Sequence, residues 1–299
     1  GSSFKPFIYS AALEKGFTPA TIVNDAPVVV DPFLTGGQVW EPKNYDGKYE
    51  GPMRLRTGLA KSKNMVSIRV LQGIGTQYAQ DYVARFGFDP EKHPPYLTMA
   101  LGAGSVTIWQ MARAYSVFAN GGFKIEPYIV SKIVDDRGNV LAQAQPQRSG
   151  DESLRVIDAR NAYLMNSMMQ DVVRYGTAAR ANSLGRHDLA GKTGTTNDFV
   201  DAWFNGNQAT LVGIGWVGFD QPRKLGNGET GASTALPVWM GYMAQALKNI
   251  PEETMPQPEG VVTVKVNDRG QQSADGKPEI FFRESLPPEA QAEAPRAAE

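Results

Sequence analysis

Ser2 and Lys5 stand three residues apart in the opening stretch Gly1-Ser2-Ser3-Phe4-Lys5-Pro6-Phe7. On a helix that spacing puts a hydroxyl and an amine on one face. A serine hydroxyl is a poor nucleophile until a base takes its proton. A desolvated lysine with a second cation nearby can be that base, because both effects lower its pKa. Ser-x-x-Lys by itself arises about once by chance in a chain this long, so the tetrad needs partners. Two segments supply them, Ser62-Lys63-Asn64 and Lys192-Thr193-Gly194-Thr195. Ser62 can relay a proton towards a leaving group. Asn64 presents both a carbonyl and an amide, suited to hold Lys5 and a substrate backbone together. Lys192 brings the second cation, and charge for a substrate carboxylate. Thr193 and Thr195 offer that carboxylate hydroxyls, and Gly194 lets a backbone come close.

In this order the three boxes resemble the penicillin-binding protein and serine β-lactamase superfamily. The likeness extends to Gln38-Val39-Trp40-Glu41-Pro42-Lys43-Asn44, Leu59-Ala60-Lys61-Ser62-Lys63-Asn64, Ala119-Asn120-Gly121-Gly122, Gly191-Lys192-Thr193-Gly194-Thr195-Thr196-Asn197-Asp198 and Asp201-Ala202-Trp203-Phe204. These look like class A penicillin-binding proteins, from residue 1 to about residue 249. Lys63, where β-lactamases often have Asp, favours that branch. The resemblance implies an α/β (α+β) fold, a mainly antiparallel sheet packed by helices beside an all-helical lobe. It implies D,D-transpeptidation: Ser2 is acylated by a peptidoglycan stem peptide, an amine of a neighbouring stem takes the acyl group, and β-lactams are captured by Ser2. The backbone N–H groups of Ser2 and Thr195 would form the oxyanion hole, and Trp40 would lie near the cleft on the substrate side. A D,D-carboxypeptidase or serine β-lactamase is the first alternative, and a non-catalytic β-lactam sensor is one of another class. Fast deacylation in class A β-lactamases uses a Glu-x-x-x-Asn segment, and this chain has no such spacing.

The resemblance further implies that strands of the sheet, a glycosyltransferase domain and a membrane anchor lie ahead of residue 1. The expected setting is the extracytoplasmic face of the inner membrane. Composition agrees with a globular domain: 41% hydrophobic, 20% charged, in 299 residues. A net charge of -1 gives no support to a nucleic-acid partner. With no Cys and only 2 His, cysteine catalysis is excluded and a Ser-His-Asp triad or His-rich zinc site disfavoured; no cofactor or metal is expected.

Several elements must position these groups. A first helix runs from the nucleophile to Gly16, and residues 17–52 read as loop. Residues 53–122 read as helices, with Thr76 capping one and a Thr107/Gln110 capping box starting another. A hairpin spans residues 128–144, and Asp158 caps a long helix to Tyr175. Residues 189–195 read as an edge strand paired beside a longer one at 208–219, with Asp201 to Trp203 as a turn or substrate loop between. A last helix ends near Lys248. From residue 250 to 299 Pro, Glu, Gln and Ala dominate, which predicts a largely disordered tail with one possible strand at Val261–Val266.

Overall fold

The computed structural model of the protein describes residues 1–35 and 37–291. Ser2–Phe4 form one 3-10 turn that runs straight into α1 (Lys5–Glu14). Pro6 sits in the first turn, where its missing N–H costs nothing. Phe7, Ile8, Tyr9, Ala11, Ala12 and Leu13 are all buried, so α1 is a core helix covered on every side. Phe7 stacks on Phe118 at 5.5 Å and meets Phe88 edge-on at 4.9 Å. Polar groups on α1 are satisfied inside the core: the Ser10 hydroxyl donates to Asn161 at 2.7 Å.

β1 (Ile22–Asp25) and β2 (Gly51–Arg54) pair antiparallel and lead into α2 (Leu55–Ala60). The expected helix at Met53 therefore starts two residues later, because Met53 pairs with Val23. α3 (Asn64–Ile74), α4 (Thr76–Ala84) and α5 (Ile108–Ala119) build the helical lobe. Gly75 rather than Thr76 caps α4, and the Thr107/Gln110 capping box at α5 is present in full. β3 (Lys132–Val134) and β4 (Val140–Gln143) form the small exposed hairpin. α6 (Ala159–Arg174) starts on the Asp158 cap.

The three-stranded sheet is β5 (Ala190–Thr195), β6 (Ala202–Gln208) and β7 (Leu211–Val217), in that order and antiparallel. The expected direct pairing of residues 189–195 with the long strand is corrected: β6 lies between them. All seven residues of β6 are buried, so no alternation marks it in the sequence, and Asn205, Asn207 and Gln208 disguise it with polar side chains. No strand among the described residues pairs with the far edge of β7. α7 (Leu236–Ala246) covers the sheet, with Trp239 against Phe204 at 4.7 Å.

The expected disordered tail is also corrected. β8 (Val261–Val266) and β9 (Lys277–Phe282) form a hairpin whose Val261 and Phe282 join the main core. Glu279 is buried on it and takes Arg56 of α2 in a two-pronged pair at 2.6 and 3.0 Å. β8 falls on the expected strand at Val261–Val266, whereas β9 opens on Lys277-Pro278-Glu279, which blends with the Pro/Glu-rich surroundings. Residues 292–299 of the expected tail lie outside the described residues.

Candidate active site

Three segments distant in sequence meet at one cleft of about 480 Å³, lined among others by Ser2, Ser62, Asn64, Thr177, Thr193 and Thr195. Ser2 opens onto it from the turn before α1. Ser62-Lys63-Asn64 arrives as the connection between α2 and α3. Lys192 to Thr195 are the body of β5.

Lys5 is 0% exposed behind this cleft. Its amine contacts the Ser62 carbonyl at 2.8 Å, Asn64 Oδ1 at 2.7 Å and Ser62 Oγ at 3.1 Å. Burial above all, and then the charge of Lys192, holds its pKa well below the usual lysine value. A neutral amine has two N–H groups and one lone pair. The two carbonyl oxygens can only accept, so they take the N–H groups and the lone pair is left for a hydroxyl. That is the state a general base requires. Lys192 is 0% exposed as well, and its amine donates to Ser62 Oγ at 2.8 Å and to the Thr193 carbonyl at 3.0 Å. Burial lowers its pKa to about 7. Ser62 Oγ thus bridges the two lysines. Ser62 itself has φ +55, the left-handed region that a side chain resists. The Ser2 hydroxyl has no hydrogen-bond partner among the described residues and faces the cleft.

Gly194 does something other than expected. A Cβ there would fall 2.0 Å from Ser3 Oγ and 3.0 Å from the Ser3 nitrogen. The glycine therefore lets β5 approach the Ser2–Phe4 turn, and it is absent from the cleft lining. Ser3, which sequence reasoning passed over, fixes that turn: Asn205 of β6 donates to its hydroxyl at 2.8 Å and the Tyr115 hydroxyl donates to its carbonyl at 2.5 Å. Thr193 and Thr195 both line the cleft, and Thr195 Oγ1 accepts from the Gly231 N–H at 2.9 Å. Thr177 was also missed. Its hydroxyl bonds that of Thr193 at 2.7 Å and its N–H donates to the Ala60 carbonyl at 3.1 Å. A Cβ on Gly176 would lie 2.2 Å from that carbonyl, so Gly176-Thr177 after a long helix was the available signal.

Trp40 stays outside the site: half-buried, it packs against the main core and does not line the cleft. Lys43 to Asp46, just beyond it, do line it. On the other wall, Asn197 and Asp198 line the cleft, whereas Asp201 accepts from Trp216 Nε1 at 2.9 Å and Trp203 is buried against Trp216. Asp201 and Trp203 therefore hold the sheet together. Asp198 remains on the cleft wall.

A serine facing a cleft, with a buried amine of lowered pKa and a second lysine joined through Ser62, defines a serine acyl-transfer centre. The chain belongs to the penicillin binding protein transpeptidase domain family, whose model matches residues 1–224. It is 52% identical over 262 residues to penicillin-binding protein 1A of Neisseria lactamica, covering 88% of this chain and 33% of that protein. It is 45% identical to penicillin-binding protein 1A of Pseudomonas aeruginosa, covering 96% of this chain and 41% of that one. A crystal structure of penicillin-binding protein 1A from Haemophilus influenzae superimposes with a TM-score of 0.92 at 38% identity, over 98% of this chain and 49% of that one. The chain spans about a third of the length of the Neisseria relative.

Proposed function

We propose that the chain is a D,D-transpeptidase that cross-links peptidoglycan stem peptides through an acyl-enzyme on Ser2, and that β-lactams acylate the same hydroxyl. The observation that carries this reading is Lys5, buried beside Ser62 and Asn64 one turn from Ser2. Ser2 Oγ attacks the penultimate D-Ala carbonyl while its proton passes to the Lys5 lone pair. The backbone N–H groups of Ser2 and Thr195 stabilise the oxyanion. The amide bond then breaks, and the departing D-Ala nitrogen takes a proton through Ser62 Oγ. An amine of a neighbouring stem attacks the ester carbonyl, gives up its proton along the same route, and Ser2 leaves as the hydroxyl. Thr193 and Thr195 hold the donor carboxylate. Lys192, shielded behind them, adds positive charge and keeps Lys5 neutral. Such a substrate belongs to the extracytoplasmic face of the membrane. A glycosyltransferase domain and an anchor elsewhere in the full-length protein complete this reading. No helix among the described residues is long and apolar enough to cross a membrane.

Intact-mass analysis after a β-lactam, followed by peptide mapping, tests the assignment. One adduct on Ser2 is expected. An adduct on Ser3 or Ser62, or none on folded protein, refutes it. The adduct is also expected to be long-lived. The carboxylates lining the cleft are Asp46, which is paired with Lys63, and Asp198, and both are exposed to solvent. General-base activation of water is worth about 10²–10⁴-fold, and without it hydrolysis lags acylation. Recovery of free enzyme within seconds in drug-free buffer would move the reading to a β-lactamase.

A further inference from the structure

The middle residue of the Ser62-Lys63-Asn64 turn pairs with carboxylates and not with Lys5. Ser62 and Asn64 face Lys5, whereas the Lys63 side chain is 5% exposed and enters an acidic cradle at the border of the cleft. Its amine lies 2.7 Å from Glu50, 3.6 Å from Asp25 and 3.6 Å from Asp46. Asp25 is wholly buried at the end of β1. Its carboxylate accepts from Asn44 Nδ2 at 2.6 Å and from the Glu50 N–H at 2.9 Å. Asn44 Oδ1 in turn accepts from the Met65 N–H at 3.2 Å, and Asn64 Nδ2 donates to the Lys43 carbonyl at 2.8 Å. The turn is therefore pinned on both sides of Ser62.

Such pinning has a purpose at a residue with φ +55. A left-handed serine relaxes unless its surroundings hold it. Relaxation would rotate the Ser62 carbonyl, one of the two oxygens that fix the Lys5 amine. A buried, fully paired lysine is an anchor whose removal is felt, because it leaves Asp25 buried and less compensated. The raised pKa of Lys63, produced by Glu50, Asp25 and Asp46 against its desolvation, agrees with a permanently charged peg.

We infer that Lys63, with Asp25, Asn44 and Glu50 as its socket, forms a positioning device that keeps Ser62 left-handed and so aims the Lys5 amine. Lys63 and Asn44 border the cleft, but none of these four residues bonds Ser2, Lys5 or Lys192; they act through Ser62. The inference rests on the acyl-transfer reading above.

Stopped-flow acylation by a fluorescent penicillin separates the pre-covalent dissociation constant from the acylation rate at saturation. Lys63→Met and Glu50→Gln are expected to lower the saturating rate by about 10- to 100-fold, the effect of a misplacement near 1 Å, with the dissociation constant changed less than about threefold. Because the groups act as a unit, Lys63→Met combined with Asp25→Asn should be no slower than Lys63→Met alone. Parental saturating rates in the folded variants overturn the inference, and so does a loss that only tracks the unfolded fraction in a melting curve. If Lys63→Met does not fold, Glu50→Gln decides, since Glu50 is 41% exposed and Lys63 keeps Asp25 and Asp46 as partners without its charge. An unaltered protein that is not acylated at Ser2 would instead remove the underlying reading, and this inference with it.

Discussion

Replacing Lys5 by methionine is expected to slow β-lactam acylation of Ser2 by about 10²–10⁴-fold, the usual contribution of a positioned general base. Methionine keeps the length of the side chain and much of its packing but has no lone pair of comparable basicity. The fold should tolerate the change or gain from it. Lys5 is completely buried, and its pKa lies far below the usual lysine value because an ammonium there is poorly solvated. The folded state therefore binds the proton less readily than the unfolded chain, and stability is lost as pH falls from the ordinary lysine value towards the lowered folded-state pKa. Methionine removes that loss. Lys5→Met should consequently flatten the stability profile below the ordinary lysine value, down to that lowered pKa, while it removes activity, a separation typical of groups held in place for chemistry. Thermal melting followed from the ordinary lysine value downward in pH, set beside single-turnover acylation, checks both halves. Near-parental acylation by a well-folded Lys5→Met protein would show that some other group takes the Ser2 proton.

Lys192→Met carries the second large expected effect, a loss of about 10²–10³-fold in acylation, on the scale of a removed electrostatic donor. Its amine donates to Ser62 Oγ at 2.8 Å, so the change opens the bridge between the two lysines as well as removing a charge. An edge-strand lysine would ordinarily add little packing, but this one is 0% exposed. Burial lowers its pKa to about 7, below that of the unfolded chain. Its contribution therefore makes stability rise as pH climbs from about 7 towards the ordinary lysine value. For activity the sign is opposite, since Lys192 serves the donor carboxylate as a cation. Acylation per free enzyme should decline above about pH 7 on account of Lys192, and that alkaline limb should vanish in Lys192→Met. Acylation and melting temperature falling together in proportion would make Lys192 structural.

The local chemistry was legible in the sequence. Ser2, Lys5, Ser62, Asn64 and Lys192 could be picked out because each residue type suits acyl transfer and the three boxes come in a recognisable order. Helices were legible where an apolar stripe or a cap announces them, as with Asp158 at α6 and the Thr107/Gln110 box at α5. What the sequence could not display was contact between segments far apart in the chain. β6 was hidden because a strand buried on both faces has no alternation to read, and its Asn205 and Asn207 look like loop residues until their burial is seen. Glu279 gave no sign of being a buried partner for Arg56, 223 residues away. Gly194 read as room for a substrate, yet its missing Cβ makes room for Ser3. Lys63 read as a mere departure from the β-lactamase pattern, and only the approach of Asp25 and Glu50 gave its charge a place. Residue type and local spacing determined which groups could react. The tertiary structure decided which of them are buried, neutral and aimed, because desolvation and long-range contact exist only after folding.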